Sequence, residues 1–230
     1  QKCTAIRRCI VPDTLIDAFE ESVVEALSSH VVGNPLSDGV TVGPVSTAGQ
    51  LRDGLSGIRQ LAASGKLVVG STDRVDGRGA PAGKGYFIAP TVIRMADGGP
   101  DRVHEIEVFA PNVSMMPYDG TAGAAVATLA RGQGSLVSSV YGDDRGWLGT
   151  VIAGAAPWLG RMLVCSSKVA DQVTAPGMVL PSCIHGGPGR AGGGEELGGE
   201  RGLLFYMQRT SVQGDRVILG KVFGIESGGN

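Results

Sequence analysis

The feature that most constrains this chain is an alternation of short apolar runs with longer segments of helical periodicity. Residues 66–70, 113–118, 136–141 and 161–166 are short, apolar and rich in β-branched side chains, so they read as strands. Residues 46–64, 122–130 and 146–158 read as helices; in the first of these Leu51, Leu55, Ile58 and Ala62 share a face, and Gly65 suits its C-terminal cap. An earlier helix is expected from Pro12-Asp13-Thr14, with Asp13 or Thr14 as N-cap. It carries Ile16, Phe19, Val23 and Leu27 on one face and ends by Gly33-Asn34-Pro35. Strands that alternate with helices in this way specify βαβ units, hence an α/β fold with a largely parallel sheet and flanking helices. The polar, glycine-rich stretch 71–85 reads as a surface loop. Residues 86–93 read as extended, with Pro90 pushing them toward a sheet edge.

Composition narrows the class. With 42% hydrophobic and 18% charged residues the 230-residue chain is a folded protein with a sizeable core. Its net charge of −2 offers no surface for nucleic acid or membrane, and no apolar run approaches the roughly 18 residues of a span. Many of its 38 glycines cluster late, where residues 175–202 form a glycine- and proline-rich region. Beyond it, Leu203-Leu204-Phe205-Tyr206 and Val217-Ile218-Leu219 flank Gly214-Asp215, which predicts two extended runs in a hairpin-like arm of the kind that joins subunits.

The cysteines carry the chemistry. Cys3, Cys9, Cys165 and Cys183 form no CxxC pair and no metal-like spacing with histidine, so no metal site is expected and the setting reads as reducing and cytoplasmic. Cys9 and Cys165 sit in apolar runs and read as small hydrophobes. His104 and His185 lack partner spacing and read as loop residues, and Gly192-Gly193-Gly194 lacks the Gly-Lys-Ser/Thr of a phosphate loop. Cys3 lies in Gln1-Lys2-Cys3-Thr4-Ala5, a loop that runs into the strand at Cys9-Ile10-Val11. Alone, it is either a reactive thiol held at a strand edge or an inert one.

Four blocks in fixed order resemble the aldehyde dehydrogenase superfamily. They are Gln1-Lys2-Cys3-Thr4-Ala5, Gly43-Pro44, Gly85-Tyr86-Phe87-Ile88-Ala89-Pro90-Thr91-Val92 and Glu107-Val108-Phe109-Ala110-Pro111. The run from His185 to Gly199, with Tyr206-Met207-Gln208-Arg209-Thr210, resembles the branch that oxidises CoA-linked semialdehydes in phenylacetate and benzoyl-CoA degradation. The resemblance implies that Cys3 is the nucleophile, forming a thiohemiacetal and then a thioester. It implies that Glu107 and Phe109 hold the nicotinamide end of NADP, or alternatively NAD; without it they read as a solvated Glu and a core Phe. Glu196 would lie near the proton path of the base, although Glu195 stands where the family has Arg, and a solvated acidic pair is the competing reading. By the same resemblance residues 1–202 are a catalytic domain and residues 203–230 a segment bearing the oligomerisation arm of a homodimer or tetramer. The dinucleotide domain, the base Glu and the oxyanion Asn are expected upstream of Gln1, so this chain alone is expected to be inactive, and no hydratase domain is expected to follow. The contrasting reading is a non-catalytic α/β domain that self-associates.

Overall fold

The computed structural model describes residues 2–172, 183–193 and 199–224. Strands β1 (Arg8–Pro12), β2 (Lys66–Val69), β3 (Thr91–Arg94) and β4 (Asn112–Tyr118) form a sheet in the order β1-β4-β3-β2. The β1–β4 and β4–β3 pairings are parallel, and β2 joins as an antiparallel edge. Strands β5 (Ser135–Tyr141) and β6 (Leu159–Cys165) pair parallel in a second, two-stranded sheet. The helices are α1 (Ile16–Ser28), α2 (Ala48–Ala62), α3 (Asp101–Glu105), α4 (Ala122–Ala130), α5 (Arg145–Ala155), α6 (Gly199–Phe205) and α7 (Arg216–Phe223).

The strand period of two explains the layering. Ile93 and Met116 pack on one face with Leu55, Ile58 and Leu61 of α2, and Ile10 joins them. Their chain neighbours Val92, Met115 and Val11 point the other way, against Ile16, Phe19, Val23 and Leu27 of α1. Both faces of the four-stranded sheet are thus covered, as a largely parallel sheet requires. The apolar faces expected for α1 and α2 are the ones that pack here.

Several local expectations are corrected. Helix α1 starts at Ile16 with Leu15 at the N-cap, and no side chain caps it. The Asp13 N–H instead donates to the Tyr118 carbonyl, and the Leu15 N–H to that of Pro12, so residues 13–15 are a turn off β1. The end of the helix is as expected: it stops at Ser28, ahead of Gly33-Asn34-Pro35. The cap after α2 is Ala63 rather than Gly65. Strand β3 is interior to the sheet; Pro90 precedes its first residue, where the missing N–H removes no ladder bond. The two late apolar runs are helical. Asp215 caps α7 by accepting from the Val217 and Ile218 N–H groups, and Gly224 closes it in the left-handed conformation.

Two glycines on α2 fix what lies beneath it. A Cβ on Gly57 would stand 2.5 Å from Val108 Cγ2, and one on Gly54 would meet Ala110 and Ile88. The segment 107–111 therefore presses Val108 and Ala110 into the helix. Glu107 and Phe109 alternate to the exposed side. Gly57→Ala gains up to about 1 kcal/mol of helix propensity but overpacks a buried contact at about 1–3 kcal/mol. The expected result is a net loss, read as a lower urea midpoint with an unchanged m-value; an unchanged or higher midpoint would show that the segment gives way freely.

Candidate active site

A cleft of about 750 Å³ opens where several segments meet at the amino ends of their strands. The Cys3 loop precedes β1, Glu107 and Phe109 precede β4, and Ser135 and Leu159 begin β5 and β6. Gly43 and Pro44 contribute to the wall. Cys3 is exposed in a turn closed by the Ala5 N–H on the Lys2 carbonyl, and its neighbour Thr4 is buried. The structure thus brings Cys3, Glu107 and Phe109 to one cavity from segments about a hundred residues apart. Glu107 and Phe109 are both exposed to it, Phe109 by 40%. Glu196 lies outside the described residues.

Arginines lock the walls together. Arg7 donates to the Ile106 carbonyl at 2.8 Å, tying the Cys3 loop to the segment that carries Glu107. Arg8 donates to the Leu129 carbonyl at 3.2 Å in the last turn of α4. Arg190 donates to the His104 carbonyl at 3.2 Å and also reaches that of Glu105, so the loop around residue 190 joins the same clamp. Arg7 and Arg8 stay charged while partly desolvated: burial holds Arg7 below its ordinary value, with Glu107 pulling the other way, and burial with the neighbouring arginines brings Arg8 to about 10.

His104, expected in a loop, is a buried member of α3. Arg8 can only donate, so at 2.7 Å His104 Nδ1 is the acceptor, and Nε2–H donates to the Gly98 carbonyl at 2.9 Å. The ring is therefore neutral. Burial, with Arg8, Arg131 and Arg7 nearby, pushes its pKa down to about 4 against the Gly98 bond. The unfolded chain takes up that proton near pH 6.5 and the folded one only near 4, so the stability His104 contributes is present above about pH 6.5 and drains away as pH falls toward 4. The ceiling of about 3 kcal/mol falls to about 1–2 kcal/mol once screening is allowed for. His104→Gln, which can accept and donate at the same positions, should flatten the dependence of the urea midpoint on pH between 6.5 and 4.5. An equally steep variant would trace the acid sensitivity to other groups.

His185 does lie in a loop, and the fold gives it a contact the sequence does not announce: its Nε2 lies 3.7 Å from Cys3 Sγ. No local spacing announces a pair 182 residues apart. The other thiols are set aside by their surroundings. Cys9 is packed in the core on the α1 side, and burial pushes it up to about 11; Cys165 is buried. Among the described residues no cluster of three or more His, Cys, Asp or Glu side chains could hold a metal ion, and no helix is long and apolar enough to cross a membrane.

These features place an exposed cysteine at a cleft of a mixed α/β scaffold. A sequence profile described as "Aldehyde dehydrogenase family" matches residues 1–212. The 3,4-dehydroadipyl-CoA semialdehyde dehydrogenase of Aromatoleum evansii is 39% identical over 189 residues, which is 82% of this chain and 36% of the relative. Protein MaoC of Klebsiella aerogenes is 36% identical over 185 residues, 79% of this chain and 52% of its own length. Among solved structures, an aldehyde dehydrogenase C mutant from Pseudomonas syringae, complexed with NAD+ and octanal, superposes with a TM-score of 0.72 at 25% identity, covering 87% of this chain and 38% of that one. Succinic semialdehyde dehydrogenase from Streptococcus pyogenes, complexed with NADP+, shares the fold at a TM-score of 0.70 and 24% identity, covering 88% and 40% of the two chains. The chain belongs to the aldehyde dehydrogenase family. It spans between about a third and a half of the length of the curated relatives named above.

Proposed function

We propose that this chain is the cysteine-bearing catalytic part of an aldehyde dehydrogenase that oxidises a CoA-linked semialdehyde to the acid with NADP, NAD being the alternative cofactor. The observation that carries the reading is the convergence of Cys3, Glu107 and Phe109 on one cleft. The 39% identity to a CoA-semialdehyde dehydrogenase supports the substrate class. In this reading the Cys3 thiolate attacks the aldehyde carbon, and its own backbone N–H stabilises the oxyanion of the tetrahedral adduct. The carboxylate of Glu107 can accept both hydroxyls of a ribose, and the ring of Phe109, two residues on and on the same side, can pack beside a nicotinamide. When bound, the nicotinamide supplies the hydride acceptor that the oxidation needs. Glu196 is assigned to the proton path of the water that releases the acid from Cys3.

We assign residues 1–202 to the catalytic domain and residues 203–230 to association between copies, as a dimer or tetramer. Support for the latter comes from α6, α7 and the stretch between them, which leave Phe205, Tyr206, Val217 and Phe223 exposed. The same surface is what a purely self-associating domain would present, and activity decides between the two readings. All four cysteines are free thiols, in keeping with a reducing, cytoplasmic compartment. The test is cofactor reduction by the natural full-length protein with CoA-semialdehydes and with the free aldehydes; turnover that ignores the CoA moiety would remove the CoA assignment, and no turnover with any aldehyde would favour the self-associating domain.

A further inference from the structure

We propose that His185 is a catalytic residue that takes the proton of the Cys3 thiol. The inference rests on the reading of Cys3 as nucleophile and adds its proton acceptor. Nε2 of His185 stands 3.7 Å from Sγ, within hydrogen-bonding reach of sulfur, and free enzymes commonly show such bonds longer than in the reacting complex. In the step assigned here the Sγ–H bond breaks, its proton moves to Nε2, and the bonding pair stays on sulfur. An imidazolium and a thiolate result, and the thiolate pair then forms the bond to the carbonyl carbon. For this, Nε2 must be the bare nitrogen, with the other ring proton on Nδ1.

The second observation is the seat that holds the His185 loop. Residues 183–193 lie across the starts of β5 and β6 at a separation that only glycine permits. A Cβ on Gly160 would collide with the Gly186 carbonyl oxygen, one on Gly134 with that of Pro188, and one on Gly189 with that of Gln133. Gly134 and Gly189 also have positive φ, so their conformations themselves favour glycine. The Gly187 N–H closes the loop on the Gly192 carbonyl, the Arg190 N–H donates to Gln133, and the Arg190 side chain adds the clamp to residues 104 and 105. A seat built from this many close backbone approaches fixes the ring against the sulfur. The charged groups that line the cleft with Cys3 are Lys2 on the Cys3 loop, Arg7 and Arg8 at the start of β1, Glu107 before β4, and Arg190 on the histidine loop.

The test is alkylation of Cys3 by iodoacetamide, a neutral probe, followed by peptide mass mapping so that the other thiols are counted separately. It needs neither aldehyde nor cofactor, so its outcome is independent of whether Cys3 oxidises aldehydes. For the 230-residue chain, His185→Gln should slow Cys3 alkylation at pH 7 about tenfold and recover the wild-type rate as pH rises past 9, because hydroxide then removes the proton that the imidazole no longer accepts. Gly160→Ala should produce the same loss by lifting the loop from its seat, while Lys2→Gln should leave the pH–rate curve in place. A wild-type curve for His185→Gln overturns the proposal, as does a loss that follows Lys2→Gln instead. The reciprocal measurement guards against misfolded variants: in Cys3→Ala, a mild change at an exposed site, the ring signals of His185 should move in chemical shift by NMR, and unmoved signals overturn the pairing.

Discussion

Replacing Cys3 with alanine should abolish aldehyde oxidation by the full-length protein, a loss on the order of 10⁴- to 10⁶-fold, as expected when a nucleophile is removed and only binding and oxyanion stabilisation remain. The same substitution at Cys9, Cys165 or Cys183 should leave turnover within a few-fold of wild type. The contrast comes from place. Cys3 is exposed at the mouth of the cleft, with Arg7 and Arg8 close behind it in sequence. Cys9 faces the core from β1, where burial lifts its thiol to about 11 and keeps it protonated at neutral pH. Cys165 ends β6 in a buried position, and removing its sulfur costs packing rather than chemistry. Steady-state rates for the four Cys→Ala variants, with circular dichroism to confirm folding, give the answer. An active Cys3→Ala enzyme would sink the assignment.

Glu107→Gln should slow hydride transfer by about 100-fold while leaving aldehyde capture by Cys3 nearly unchanged. Glutamine keeps one acceptor oxygen but cannot receive two hydroxyls on a single carboxylate, and misplacing a reacting ring by about 1 Å costs that much. The backbone here is well anchored: Val108 and Ala110 are pressed against Gly57 and Gly54, and Arg7 holds the Ile106 carbonyl. The change should therefore be confined to what the side chain grips. Single-turnover formation of the reduced cofactor, compared with the rate of thiol capture measured without cofactor, separates the steps. Equal slowing of both would make Glu107 an electrostatic neighbour of Cys3 instead of a cofactor ligand.

The parts of this structure legible in the sequence are those where one local signal had no competitor. Helix α4 lies where the alanine-rich run says it does, because Thr121 caps its start by accepting from the Ala124 N–H and glycine follows its end. The apolar faces of α1 and α2 were readable because a 3.6-residue repeat has only one way to meet a sheet. The errors arose where two signals shared the same residues. Gly214-Asp215 reads as a hairpin turn, yet Asp215 is the N-cap of α7, and the apolar runs on either side are short enough to suit strand or helix. Pro90 reads as an edge marker, yet its place ahead of β3 spares the ladder. The motif blocks single out Cys3, Glu107 and Phe109 as candidates because each block is contiguous, and the structure sets all three on one cleft. His185 and the arginine clamps were invisible, since they depend on which carbonyl or sulfur the fold brings within reach, and nothing local records that.

The 182 residues between the two members of the Cys3–His185 contact also set a clock. A ribosome adding roughly 5–20 residues per second brings the histidine out about 10–40 s after the thiol. Through that interval the sulfur is an ordinary exposed cysteine. The glycine-lined seat is still unfinished, for Gly134 and Gly160 emerge earlier than the loop they receive. Oxidative damage to Cys3 during synthesis would then be governed by intrinsic thiol chemistry alone, and the activation proposed for His185 would begin only when β6 and the loop beyond it have closed over the Cys3 turn.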